Sequence, residues 1–141
     1  MLNTLSLPFN KHIQIEKTED QSPYIFKLEL KAHLLNHLNT MHASAMFALA
    51  EAASGEHLLR LFEDYTESVM PVLRSAQVKY SKPVTGSVFS MVELRDNSVS
   101  ETISELDAKG RVLLKVDVSL YNEMDVRVFK STYEWFLMKK D

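Results

Sequence analysis

Between Met41 and Leu61 the chain carries six alanines from Ala43 to Ala53 and neither a proline nor a β-branched residue. No other stretch constrains the fold so tightly. Alanine and its unbranched neighbours lose little freedom in a helix, so the spacing predicts one here, with Asn39 or Thr40 as its N-cap. The acidic run Glu63, Asp64 and Glu67 falls beyond its buried part. Because Ala43 to Ala53 is apolar or small on nearly every side, the helix is expected to be buried on most of its surface. Small side chains also let a sheet approach it closely.

The rest of the chain supplies that sheet. Leu114, Val116, Val118 and Leu120 alternate with Lys115, Asp117, Ser119 and Tyr121, the period of a half-buried strand. After a turn at Asn122 to Asp125, Val126 to Met138 is rich in β-formers, with Phe129, Tyr133, Trp135 and Leu137 on one face, and pairs antiparallel with the first run. Leu73 to Tyr80 and Val84 to Leu94 read as two more strands. Glu101 to Leu106 reads as another, turning at Ala108, Lys109 and Gly110. His12 to Glu16 and Tyr24 to Leu30 read as a hairpin around Asp20 to Pro23. The expected fold class is α+β, one long central helix wrapped by a mostly antiparallel sheet of five to six strands.

Residues 1–141 are expected to form a single domain, since three glycines and four prolines lie in no linker-like run. Those isolated glycines cannot build a phosphate loop. Sixteen basic against nineteen acidic residues give a net charge of -3, a poor footprint for nucleic acid. No apolar run reaches the roughly 20 residues that span a bilayer, and the start, Met1 to Asn10, lacks the pattern of a signal peptide. With no cysteine there is no thiolate chemistry, and a reducing cytoplasm is the expected setting.

Glu51 is the only ionisable residue from Ala45 to Ala53. A lone carboxylate among apolar side chains is costly unless it is paired, hydrated or protonated. It therefore reads either as a general base or nucleophile with a raised pKa, or as a group rotated to a solvent gap or subunit seam. Glu56, by contrast, can pair with Arg60 at i, i+4. Ala43 falls in the helix's first turn, where a backbone N–H has no intrahelical acceptor and can polarise a carbonyl. Eight residues of helix separate Ala43 from Glu51 by about 12 Å. One chain cannot bring both to one carbonyl, but two antiparallel helices in a two-fold dimer can.

The segment Asn36, then His42-Ala43-Ser44-Ala45-Met46-Phe47-Ala48-Leu49-Ala50-Glu51, resembles the Asn-x5-His-Gly-Gly-x-x-x-x-Leu-Ala-Asp/Glu pattern of hotdog-fold thioesterases of the phenylacetyl-CoA thioesterase type. Tyr80-Ser81-Lys82-Pro83-Val84-Thr85-Gly86 is similar to the Tyr-x-x-Pro-x-x-Gly link of that superfamily. With the strand order, the resemblance covers roughly residues 8 to 138. It implies a homodimer or dimer of dimers, a site at the subunit interface, acyl-CoA or acyl-carrier-protein substrates, and neither metal nor other cofactor. Carried over by position, it implies Glu51 as base or nucleophile and the Ala43 N–H as the donor that polarises the thioester. Asn36 would position the water or thioester, His42 would order the loop and carbonyl, and Ser44 and Lys82 would contact substrate. Asn39, Ala43 and Ser44 stand where the pattern has glycine. A backbone N–H survives the change from Gly to Ala, while the added methyl narrows the approach to it.

Two rival readings stay open. A non-hydrolytic acyl-CoA-binding or structural protein is favoured by Ser44 and Asn39. A dehydratase or hydratase of the same fold lacks here the proline-bracketed loop around its histidine. Lys79, Lys82 and Arg74 are candidates for CoA phosphates. His33 and His37 have i, i+4 spacing, but no helix is predicted there and no carboxylate completes a zinc motif. Ser44 and Ser54 read as small packing residues, and Phe129, Tyr133 and Trp135 as core or interface.

Overall fold

The computed structural model describes residues 2–95 and 98–141, so Met1, the first residue of the stretch read above for a signal peptide, lies outside it. Among the described residues there are three α-helices, α1 (Pro8–Ile13), α2 (Ala43–Leu61) and α3 (Val99–Lys109). Six strands, β1 (Glu16–Lys17), β2 (Phe26–Leu28), β3 (Val69–Tyr80), β4 (Val88–Arg95), β5 (Arg111–Asn122) and β6 (Arg127–Lys139), form one sheet in the order β1-β2-β4-β5-β6-β3. Every neighbouring pair is antiparallel. The α+β arrangement of a long helix wrapped by an antiparallel sheet is what the sequence predicts.

The core is built where small helix meets branched strand. Leu114, Val116, Val118 and Leu120 of β5 are fully buried against Leu49, Ala50 and Ala53 of α2 and the surrounding sheet. Phe129, Tyr133 and Trp135 of β6 are buried within this chain too, which makes them core. The exposed large apolar side chains of the sheet are Met70, Val72 and Tyr80 of β3 and Leu113 of β5. No helix among the described residues is long and apolar enough to cross a membrane.

Four expectations need correction. Glu101 to Leu106 lies in helix α3, not a strand. The Ser98 side chain accepts from the Glu101 N–H, Thr102 and Leu106 are buried one turn apart, and Gly110 closes the helix at φ 74°. The N-terminal hairpin is real but only two residue pairs long, because His12 and Ile13 end helix α1, whose first turn holds Pro8. Val84 to Ser87 is outside any strand, and β3 begins earlier, at Val69. The N-cap of α2 is His42, whose Nδ1 accepts from the Ser44 N–H at 2.9 Å, instead of Asn39 or Thr40.

Candidate active site

Ala43, Phe47 and Glu51 recur every four residues and share a stripe of α2 with Ser44 and Ala48. The sheet leaves Ala43 and Ser44 exposed and Phe47 and Glu51 half-buried, while Ala48 is buried. Together with Leu73 and Tyr80 of β3 and Phe9 of α1, the stripe lines an apolar groove of about 410 Å³. Three of the residues singled out from the sequence, Ala43, Ser44 and Glu51, therefore face one cavity. A larger hollow of about 510 Å³ on the outer sheet face holds Lys79, Glu93, Arg95 and Asp117 and has no comparable apolar wall. Its Asp117 is already engaged by Arg95 at 3.2 Å and by Thr132 at 2.6 Å.

The Glu51 carboxylate is half-buried, and among the described residues no hydrogen bond or ion pair reaches it. Desolvation raises its pKa above the ordinary carboxylate value. The backbone beneath it is held firmly. The Trp135 Nε1–H donates to Ser54 Oγ at 2.9 Å, and the Ser54 hydroxyl donates in turn to the Glu51 carbonyl at 2.7 Å. One turn earlier the Tyr133 hydroxyl donates to the Phe47 carbonyl at 2.9 Å, with the two rings edge to face. Strand β6 thus clamps α2 on both sides of Glu51. Ser54, read from sequence as packing, is a link in that clamp. Burial pushes the Tyr133 hydroxyl pKa up, and the nearby Glu51 adds to the shift.

At the N-terminus of α2 the donors are divided. The Ser44 N–H is used by His42 Nδ1, which requires the neutral imidazole with its proton on Nε2. The Ala43 N–H meets no acceptor among the described residues and lies at the positive end of the helix dipole. Tyr80 reaches the same turn, its hydroxyl donating to the Ala43 carbonyl at 3.3 Å.

Asn36 and Lys82 stand outside the groove. The Asn36 Oδ1 accepts from the Leu38 and Thr40 N–H groups, while its Nδ2 donates to Thr40 Oγ1 and the Met41 carbonyl. Its amide is saturated by the loop that delivers His42 and Ala43 to the helix start. Lys82 is exposed in the link after β3. The sequence reading missed Phe9 and Leu73 and quoted Tyr80 only as part of a link. The Tyr-x-x-Pro-x-x-Gly match was the available signal for Tyr80. A six-residue helix such as α1 carries too little periodicity to announce Phe9.

A domain of unknown function, DUF4442, matches residues 8–137 of the chain. A search of the curated proteins finds no match. Among solved structures, a protein of unknown function from Pseudomonas aeruginosa, named a probable thioesterase, superposes with a TM-score of 0.80 at 20% identity over 97% of this chain and 91% of its own. A Bacillus halodurans protein crystallised with CoA gives 0.73 at 19% identity over 94% and 77%. A thioesterase from Haemophilus influenzae gives 0.74 at 13% identity over 96% and 85%. These likenesses show the fold, which is the hotdog fold.

Proposed function

We propose a function for the chain on the premise that it belongs to the DUF4442 family: it hydrolyses the thioester of an acyl-CoA or acyl-carrier protein at a site completed by a second copy of itself. One observation carries the reading. A half-buried carboxylate and a helix-terminal N–H, neither with a partner among the described residues, lie along the same apolar groove. Structural neighbours named as thioesterases, and one crystallised with CoA, support the class of chemistry.

In this reading the ionised Glu51 accepts a proton from water as the water oxygen attacks the thioester carbon. The carbonyl electron pair moves onto oxygen, where the N–H at position 43 stabilises it. Collapse of the tetrahedral intermediate re-forms the carbonyl and expels the thiolate, which takes the proton from Glu51, leaving the free thiol and the ionised base. Direct attack by the carboxylate, followed by hydrolysis of the resulting anhydride, gives the same products. Asn36 and His42 serve by holding the loop that presents Ala43.

Two copies are needed because Ala43 and Glu51 lie about 12 Å apart along one helix. Antiparallel α2 helices would set the N–H of one beside the carboxylate of the other. The sheet edges support such a pairing. The β1 edge is two residues long and set among Glu16, Lys17 and Lys31, whereas the β3 edge runs for twelve residues and carries exposed Met70 and Val72. A long edge left open is a template for another strand.

Light scattering at micromolar concentration should give at least twice the 16.2 kDa chain mass. A stable monomer there overturns the composite site. Thiol release from a panel of acyl-CoA and acyl-carrier-protein thioesters should persist in EDTA. The methyl of Ala43 narrows the approach to its own N–H, which favours a second reading, acyl-CoA binding without hydrolysis. Ligand binding with no thiol release above background would establish that alternative.

A further inference from the structure

Phe9 sits at the rim of the groove, 64% exposed, on an N-terminal segment that is otherwise tied down. Before it, Thr4 is buried and its hydroxyl donates to Glu56 of α2 at 2.9 Å. After it, buried Asn10 donates from Nδ2 back to the Thr4 carbonyl at 2.9 Å, and Ile13 enters the core. Pro8 fixes the start of α1, and Gln14, in the left-handed region at φ 66°, ends it by returning its N–H to the last turn. The strap from Thr4 to Ile13 is therefore anchored on both sides of Phe9, with the anchors facing inward and the ring outward.

Such a mount does nothing for the core. A large aromatic held in water by a rigid support gains apolar contact only when something fills the groove beside it. The same groove is lined by Leu73 and Tyr80 of β3 and by Phe47, Ala48 and Glu51 of α2. The volume of about 410 Å³ falls in the usual range for a small-molecule site. We propose that Phe9 selects the acyl group: mounted on the Thr4–Ile13 strap, it is the wall of the apolar groove against which a linear or aryl acyl chain packs beside Glu51. The proposal rests on the thioester reading for the identity of the ligand, but not for whether the ligand is hydrolysed.

The test compares wild type with Phe9→Ala and Phe9→Trp on short, medium and long saturated acyl-CoAs and an aryl-acyl-CoA. It reads kcat/KM and, separately, the affinity of the matching CoA thioethers, which cannot be hydrolysed, by displacement of a fluorescent fatty acid. Phe9→Ala should shift preference toward bulkier acyl groups by about tenfold in the long-to-short ratio, and Phe9→Trp should shift it the other way. Thr4→Val, which frees the strap but keeps the ring, should blur the preference without inverting it. Hydrolysis with an unchanged profile in all three variants overturns the role of Phe9 and leaves the hydrolase standing. Thioether selection that follows Phe9 without any thiol release supports the role of Phe9 and removes the hydrolase. A Phe9→Ala variant that loses its dimer yet keeps its selectivity makes Phe9 an interface residue and sinks the proposal. If wild type displaces no probe with any thioether, both readings fall.

Discussion

Glu51 and Glu56 lie five residues apart on one helix and meet opposite surroundings. Glu56 accepts from the Thr4 hydroxyl at 2.9 Å through one oxygen and from Arg60 Nε at 2.8 Å through the other. Glu51 is half-buried and accepts from nothing among the described residues. The strap side of α2 satisfies its carboxylate, while the groove side desolvates its own and leaves it unpaired. A structural carboxylate is one the fold supplies with donors. The fold instead spends its hydrogen bonds near Glu51 on backbone, through Ser54, Trp135 and Tyr133, fixing where the charge sits without neutralising it. That is the arrangement expected of a group meant to react.

The largest effect should come from removing the unpaired charge. Glu51→Gln keeps shape but not charge, so thiol release should fall by about 10² or more, the scale for an acid–base group. Its thermal midpoint at neutral pH should hold or rise, because a desolvated carboxylate gives way to a neutral amide. Glu56→Ala should do the reverse. It strands the buried Thr4 hydroxyl and costs about 1 to 2 kcal/mol, most of it from that hydrogen bond, since half-exposed Arg60 contributes little. Turnover per folded molecule on the preferred substrate should stay within a few-fold. Calorimetry and thiol release on both variants check the contrast. A destabilised but fully active Glu51→Gln would remove the catalytic assignment.

The same contrast explains what could be read from the sequence. Helix α2 was legible because alanine is the strongest intrinsic signal in the chain, and β5 because one buried face imposes strict alternation. Glu51 stood out as a charge in an apolar run, a local property. Helix α3 was misread because Thr102 and Ile103 look like strand residues, although Ser98 and Glu101 already spelled its N-terminus. His42 was passed over as an N-cap because its Nδ1 acts as one only in a particular tautomer. Phe9 was invisible for a different reason. Its meeting with the groove depends on the strap crossing α2, fixed by a hydrogen bond between residues 52 positions apart.

The smallest effect sharpens the comparison along α2 by pH. His57, six residues beyond Glu51, is also half-buried, and desolvation, with the Arg60 charge, lowers its pKa as it raises that of Glu51. Burial penalises the charged form of each, so the two groups strain the fold in opposite pH windows. A carboxyl whose folded pKa exceeds its unfolded one favours folding below the unfolded value of about 4.3, and that contribution is lost as pH rises through the folded pKa. Above it, the ionised Glu51 is a net cost. For His57 the sign reverses: the native state is favoured above the unfolded value of about 6.5, and that contribution is lost as pH falls through the folded pKa. The thermal gain of Glu51→Gln over wild type should therefore be greatest at neutral pH and fade as pH approaches about 4, whereas any gain of His57→Gln should emerge only below about 6.5. Thermal midpoints of the three proteins across that range check the crossing. A Glu51→Gln gain that stays flat down to pH of about 4 would mean that the native and unfolded carboxyls titrate alike, and the desolvated, unpaired setting argued for Glu51 would be gone.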